Sequence, residues 1–454
     1  MFRKVLIANR GEIAVRIIRA CRELGIRTVA VYSTADREAL HPVLADERIC
    51  IGPPPPGESY LKIAAILAAA QARGCDAIHP GYGFLSENGD FAEACQRSGF
   101  AFVGPRTRNI KLMGDKARAR RFMRRAGVPV LPGTPSSLRG QGDARRIARE
   151  IGYPVLVKAT GGGGGRGLRV VADDQALERA IETASREGQS AFGQPRVYLE
   201  KYLPRARHIE VQILADQERS VVHLGERECS LQRRYQKVLE ESPSPALDRR
   251  TSARLAASAV KVARAIGYTN VGTVEFLVDP SGAHYFIEMN TRVQVEHGLS
   301  ELRSGVDIVK EGLRAAAGEP LSVRQRDVVL SGHAIECRIN AEDPFTDRPS
   351  AGTVRRLHLP GGPGIRVDSA LMAGGTVPPH YDSLVAKVLA FGKDRAEALG
   401  RMRAALHDLQ IEGIRTNVPL HQALLDDADF VAGRYHTRFL EEFVQRLPAM
   451  ARGA

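Results

Sequence analysis

The first hundred residues alternate short apolar strands with amphipathic helices, and this alternation restricts the fold more than any other feature of the chain. KVLIA, TVAVY, DAIH and FAFVG read as strands, with helices expected over 11–24, 60–72 and 90–97. In the first helix Ile13, Ile17, Cys21 and Leu24 recur at helical spacing, and Gly25 stands where a glycine ends a helix. Such a pattern builds a doubly wound parallel sheet. Its first strand-to-helix turn, ANRGEIA, has one glycine where a dinucleotide-binding turn has G-x-G-x-x-G, which argues against a redox nucleotide domain.

Beyond residue 100 the pattern changes. A basic helical segment over 106–126 leads to GVPVLPGTPSS, whose Pro and Gly mark a boundary near residue 130. A compact piece follows, with helix 143–150, strand PVLVKA, a glycine loop, strand LRVVA, helix 174–187 and strand RVYLEKYL. RHIEVQILAD and SVVHLGE read as an antiparallel pair, and helix 252–265 precedes strands VGTVEFLVD and HYFIEMN. The last third mixes strands GHAIECRIN and SLVAKVLAF with helices 395–409 and 419–425. A chain of 454 residues exceeds one core, so two or three packed units sharing a site are expected.

Composition narrows the function classes. The longest apolar run, 63–70, is far below the ~20 residues of a membrane span. At the N-terminus the charged NRGE interrupts the apolar stretch a secretory signal would need, so a cytoplasmic protein is expected. Cys21, Cys50, Cys75, Cys95, Cys229 and Cys337 show no C-x-x-C spacing and read as small buried hydrophobes, not as a zinc site or disulfide framework. The net charge of +13 favours anionic ligands. Its Arg and Lys are interleaved with acids along helices and accompany no nucleic-acid-binding signature, which points to an anion site on a solvated basic surface and away from nucleic acid.

Five consecutive glycines in KATGGGGGRGL join two apolar runs of near-equal length. Composition alone reads them as a linker. Their internal, hairpin-like position reads instead as a mobile flap whose bare N–H groups can close over phosphate oxygens, with Lys158 adding a point charge. A P-loop is excluded because G-x-x-x-x-G-K-[ST] is missing.

A second constellation lies in GTVEFLVDPSGAHYFIEMNTR. If its two strands are symmetric about Ser281 and Gly282, Glu275 faces Glu288 directly. Directly opposed like charges are destabilising, so a cation belongs between them, and two carboxylates suit Mg²⁺ or Mn²⁺ with nucleotide phosphates. A bulge or another turn would instead leave two ordinary exposed glutamates. Continued alternation through EMNTRVQVEH puts Glu288, Asn290, Arg292, Gln294 and Glu296 on one face and Val293 and Val295 on the other. A charged edge strand is one reading of that row. Arg292 and Gln294 gripping a small planar oxyanion, with Glu296 as base, is the other.

Together IANRGEIAVRIIRAC, HPGYGFLSEN, LMGDK, KATGGGGGRG, FIEMNTRVQVEH and GHAIECRINAEDP resemble the biotin carboxylase family, in order and over essentially the whole chain. The resemblance implies an α/β and α+β architecture: an N-terminal doubly wound parallel-sheet (pre-ATP-grasp) domain at 1–113, an ATP-grasp domain at 114–330 with a mobile lid at about 131–204, and a C-terminal mixed α+β domain at 331–447. It implies a ligase that uses ATP and Mg²⁺ or Mn²⁺ to activate bicarbonate as carboxyphosphate and then carboxylates N1′ of biotin on a carrier protein.

The same resemblance implies roles for residues. Lys116, Lys158 and Gly163, Gly164 and Gly165 would meet nucleotide phosphates; Glu200, Lys201, Leu203, His208, Gln232, Tyr235 and Leu277 would surround the base and ribose. Glu275, Glu288 and Asn290 would hold the metal, and Lys237, Arg292, Gln294 and Val295 the bicarbonate. Glu296 would be the base, and Arg338 would stabilise the biotin enolate. A biotin carboxyl carrier protein and a carboxyltransferase would be supplied by other chains, since no A-M-K-M motif occurs, and a homodimer is implied. Two positions depart from the family pattern: Tyr235 replaces a histidine, and Gly298 replaces the proline after Glu296 and His297. Another ATP-grasp carboxylate–amine ligase and a weakened nucleotide-binding paralogue are the alternatives.

Overall fold

A computed structural model describes residues 1–134, 138, 141–159, 168–193 and 195–447. The glycine run of 161–165 lies outside them, and Gly163, Gly164 and Gly165 with it.

The N-terminal strands β1 (Lys4–Ile7), β2 (Arg27–Ser33), β3 (Glu47–Gly52), β4 (Ala77–His79) and β5 (Ala101–Phe102) form one parallel sheet in the order β3-β2-β1-β4-β5. The doubly wound reading therefore holds, but β3 was not foreseen. ERICIG begins by alternating half-buried positions with exposed ones, Arg48 and Cys50, as an edge strand does, and lacks a long apolar run. It also leaves Cys50 exposed, against the expectation that all six cysteines are buried. The helix expected from residue 60 starts at Ile63.

Two loops at the carboxyl ends of β1 and β4 are locked together. Asn9 donates from Nδ2 to the carbonyls of Pro80 and Tyr82, both at 2.7 Å. Gly81 has φ +62°, and a Cβ on it would lie 2.9 Å from Asn9 Nδ2, so only glycine lets the loops approach this closely. Residues outside these strand ends are where open α/β sheets present ligand-binding groups. Glu12 and Tyr82 are placed there.

A small antiparallel sheet, β7-β6-β8, is built from β6 (Val155–Ala159), β7 (Leu168–Val171) and β8 (Val197–Lys201), and helices Gln141–Ile151 and Asp174–Phe192 pack with it around a core of Val155, Val157, Val171, Leu177 and Leu199. Since β6 and β7 pair with Lys158 opposite Leu168, the hairpin position inferred for the glycine segment is correct.

The largest layer is an antiparallel sheet of eight strands. It contains β9 (Arg207–Ala215), β10 (Val221–Arg233), β11 (Gln236–Ser242), β12 (Asn270–Val278), β13 (His284–Asn290) and β14 (His333–Asn340), then strands Leu384–Gly392 and Ile365–Ser369. Its order is β13-β12-β9-β10-β11-β14 followed by those two. Pairing of β11 with β14 makes the sheet continuous between the central and C-terminal parts of the chain. Apolar residues of β9 and β12 pack under helix Arg249–Ala265, while polar residues of the same strands face the other way, toward helix His297–Ser304 and the cavity.

That second face carries buried charge. Arg227, with no solvent exposure, donates to Glu210 at 2.6 Å, Gln212 at 2.7 Å, Ser300 at 2.9 Å and Thr273 at 3.1 Å. Loss of such a cation strands its carboxylate, so Arg227→Met is expected to destabilise the fold by about 3–5 kcal/mol in urea unfolding. On β11, Glu241 accepts from His333 at 2.6 Å, from Arg395 at 2.7 and 3.0 Å, and from the Tyr435 hydroxyl. Burial would raise its pKa, but bonds from His333 and Arg395 outweigh burial and hold it at about 2. A depressed folded-state pKa contributes stability above the unfolded value near 4.5, which is lost as pH falls toward 2. Glu241→Gln is accordingly expected to lose about 3 kcal/mol at pH 7, with the gap to the parent closing as pH approaches 2.

Candidate active site

A cavity of about 1210 Å³ opens between the small β6–β8 sheet, the charged face of the large sheet and the N-terminal loops. Strands β12 and β13 supply its floor. Glu275 does pair with Glu288, and Thr273 with Asn290, as symmetry about Ser281 and Gly282 requires. Nearer the turn the register is different: Phe276 faces Phe286 and Val278 faces His284. Five residues, 279–283, make the turn, closed by the Asp279 N–H on the Ala283 carbonyl at 2.9 Å. Ile287 is the extra residue that restores the expected register. The pairing of the two glutamates was right, therefore, for a reason the turn alone does not supply.

Cations offset the opposed carboxylates. Lys116 starts helix Lys116–Arg125, capped by Asp115, and its Nζ lies 2.7 Å from Glu288. Glu275 accepts from Lys237 at 3.0 Å and from Asn290 at 2.7 Å, and His208 Nε2 lies 2.9 Å from it. Burial would lower the His208 pKa, but Glu275 beside it leaves it raised. His208, Glu210 and Glu275 also place donor atoms within 4.8 Å of one another, a grouping the sequence did not suggest.

At the other end of the floor three carboxylates surround one ammonium. Lys237 Nζ donates to Glu210 at 2.5 Å, Glu275 at 3.0 Å and Glu296 at 2.7 Å. Arg338 donates through NH2 to Glu296 at 2.8 Å and through Nε to Glu240 at 2.6 Å. Glu296 is fully buried; burial favours its protonated form, yet Lys237, Arg338 and Arg227 hold its pKa well below the usual carboxylate range. Glu240 behaves oppositely, because burial pushes it up to about 7 even beside Arg338.

The row read from EMNTRVQVEH is not a continued strand, for β13 ends at Asn290. Arg292 and Gln294 still line the cavity and Val293 still packs in the core, but Val295 also faces the cavity, against the alternation. Glu296 is no wall residue; it stands behind Lys237 and Arg338 at the start of helix His297–Ser304. Arg292 is held by Glu87 at 2.9 Å, Gln294 at 2.9 Å and Asn290 at 3.2 Å. Gln294 Nε2 is buried with no protein partner. An unmet buried donor is costly, about 1–3 kcal/mol, and fits an oxyanion held between it and Arg292.

The remaining predicted residues also line the cavity: Lys158, Glu200, Lys201, Leu203, Gln232, Tyr235 and Leu277. Glu200 is buried between Lys158 at 2.5 Å and Arg120 at 2.7 Å. Lys201 turns its ammonium to the carbonyls of Gly152 and Tyr153. Gln232 Nε2 lies 2.6 Å from His208 Nδ1. Tyr235 sits at the β10–β11 turn with φ +64° and is 53% exposed. Gly298 follows Glu296 and His297 in the first helical turn, where a Cβ would meet Leu389 Cδ2 at 2.6 Å. Ion pairs hold Glu296 in place even without a proline there.

Sequence reasoning missed Glu87, Glu210, Glu240, Arg120 and Lys387, which orient the predicted groups from behind. Glu87 lay within the quoted HPGYGFLSEN and Lys387 within the quoted SLVAKVLAF, but nothing local in those motifs says which side chain each would meet.

Family models cover the chain in three consecutive blocks: "Biotin carboxylase, N-terminal domain" over residues 1–110, "Carbamoyl-phosphate synthase L chain, ATP binding domain" over 115–324 and "Biotin carboxylase C-terminal domain" over 336–442. A curated relative, the biotin carboxylase of Pseudomonas aeruginosa, is 58% identical over 443 residues, 97% of this chain and 98% of the relative. The solved biotin carboxylase–β,γ-ATP complex from Campylobacter jejuni superposes with a TM-score of 0.96 at 47% identity, covering 97% of this chain and 99% of that one. The biotin carboxylase domain dimer of Hydrogenobacter thermophilus 2-oxoglutarate carboxylase, in complex with MgADP, ADP and bicarbonate, gives 0.95 at 48% identity, with 99% of both chains covered. Its motifs, its fold and its similarity along the full length agree: the chain belongs to the biotin carboxylase family of ATP-dependent ligases.

Proposed function

We propose that this chain uses MgATP to activate bicarbonate in the cavity and carboxylates N1′ of biotin presented by a separate carrier protein. One observation carries the reading. A buried glutamate, Glu296, is kept ionised by Lys237 and Arg338, close in sequence to Arg292 and to Gln294, whose Nε2 is unpaired. Arg292, Gln294 and Lys237 hold the bicarbonate oxygens beside Val295, and Glu296 accepts the bicarbonate proton at a carboxylate oxygen. Arg338 turns its guanidinium toward the developing biotin enolate.

The nucleotide lies at the other end, against Lys116, Lys158 and the segment of Glu200, Lys201 and Leu203, with His208, Gln232, Tyr235 and Leu277 around its base and ribose. Glu275, Glu288 and Asn290 fit a divalent cation, since two directly opposed carboxylates with an amide beside them are a hard-oxygen donor set. When bound, Mg²⁺ or Mn²⁺ supplies the positive charge that offsets the phosphates. Lys237 touches both Glu275 and Glu296, so the nucleotide and bicarbonate ends share one ammonium.

The β6–β8 sheet has a core of its own, drawn from Ala144 to Leu199, which supports a lid at about 131–204; the divisions at 113 and 330 follow from the family resemblance, since two other cores join residues on both sides of them. No helix among the described residues is long and apolar enough to cross a membrane, in keeping with a cytoplasmic subunit. A carboxyltransferase in trans, serving an acetyl-CoA carboxylase or a related acyl-CoA or 2-oxo-acid carboxylase, and a homodimer complete the reading. The dimer named for the Hydrogenobacter thermophilus domain supports the last.

Glu296→Ala is expected to lower bicarbonate-dependent ADP release by about 10²–10⁴-fold while MgATP binding persists in calorimetry. Near-parent turnover would remove Glu296 from the role of base. For the parent, ADP release from MgATP should require bicarbonate and rise with free biotin. Bicarbonate-independent turnover would move the assignment to another ATP-grasp ligase.

A further inference from the structure

Two cations stand directly opposite each other where β14 pairs with strand Leu384–Gly392: Arg338 faces Lys387. Like charges in that position repel, and Lys387 has no exposure through which water could screen it. Its ammonium finds its partners elsewhere. It donates to the carbonyl of Val295 at 2.6 Å and lies 3.4 Å from Glu12 and 3.6 Å from Asp368. Burial would lower the Lys387 pKa, but Glu12, Glu336 and Asp368 outweigh burial and keep the group charged. Glu12 in turn accepts from the hydroxyl of Tyr82, a residue of the cavity wall.

This one ammonium joins parts of the chain far apart in sequence. Glu12 lies in helix Gly11–Glu23, Tyr82 in the loop after β4, and Val295 just after the end of β13. Residues 291–296 have left the sheet, so no ladder of backbone bonds fixes them. The carbonyl of Val295 belongs to the same planar peptide as the N–H of Glu296. Holding that carbonyl therefore fixes the plane of this peptide and with it the Cα from which the Glu296 side chain leaves the backbone.

The structure assigns Lys387 as a positioning residue for bicarbonate: by gripping the Val295–Glu296 peptide, it sets the Arg292 and Gln294 donors and the Glu296 carboxylate at their working separation. This rests on the bicarbonate reading above. A counter-ion for Glu12 and Asp368 with no such role would affect the stability of the whole fold and both substrates alike.

The test uses the full chain and steady-state ADP release, with bicarbonate and ATP varied separately. Lys387→Met keeps the length of the stem and removes the donor. Its KM for bicarbonate is expected to rise by about tenfold or more while its KM for ATP stays within about twofold of the parent. A folded variant with unchanged KM for bicarbonate, or with equal rises for both substrates, overturns the assignment. Should Lys387→Met fail to fold, Glu12→Gln decides the matter. It keeps Lys387 and an acceptor for Tyr82 but removes the nearest counter-charge, and a bicarbonate-selective rise of about two- to fivefold is expected; no selective rise overturns the assignment. A parent enzyme indifferent to bicarbonate refutes the underlying reading instead, and that result is seen before any variant is made.

Discussion

One ammonium among three carboxylates, Lys237 with Glu210, Glu275 and Glu296, is the interaction on which the site depends. Taking charges out of water is expensive, and mutual attraction repays the cost only where every partner is in place and well oriented. Here the partners are themselves held. Glu210 is gripped by Arg227, Glu296 by Arg338 and Glu275 by Asn290. The result is a preorganised charge pattern that does not need to rearrange as negative charge develops on a reacting anion.

The large sheet makes that pattern possible. Glu210 comes from β9, Arg227 from β10, Lys237 from β11, Glu275 from β12 and Arg338 from β14, all on one face of adjoining strands. A sheet turns alternate residues to one side, so polar residues every second position build a charged layer while the others fill the core beneath. Because β11 pairs with β14, the layer runs from the central part of the chain into the C-terminal part. The two ends of the cavity thus share one surface, with Lys237 bridging Glu275 and Glu296.

The two departures from the family pattern fall outside this layer. Tyr235 stands at the tip of the β10–β11 hairpin, beside Arg234 with φ +50°, and it keeps a hydroxyl at the rim without taking part in the ion pairs. Gly298 lies two residues beyond Glu296, in the first helical turn, and borders the Leu389 side chain. Neither position touches Lys237, Arg338 or Arg292.

Much of the fold, and many of the residues that line the cavity, could be read in the residues themselves. Periodicity located the parallel N-terminal unit, the β12–β13 hairpin and most helices, because those signals depend on neighbours a few positions apart. The residue types of EMNTRVQVEH pointed to the anion site proposed above for the same reason. Other features were not legible. The bulge at Ile287, the end of the strand at Asn290 and the turn of Val295 into the cavity follow from how the chain meets its surroundings. Glu87 beneath Arg292 and Lys387 beneath Val295 are pairings across about two hundred and one hundred residues respectively. By itself the sequence determined the local elements and the stock of acids, bases and amides. Only the tertiary structure decided which of the buried charges meet, because the strength of an ion pair depends on distance and on exclusion of water, and both are set by packing between segments remote in the chain.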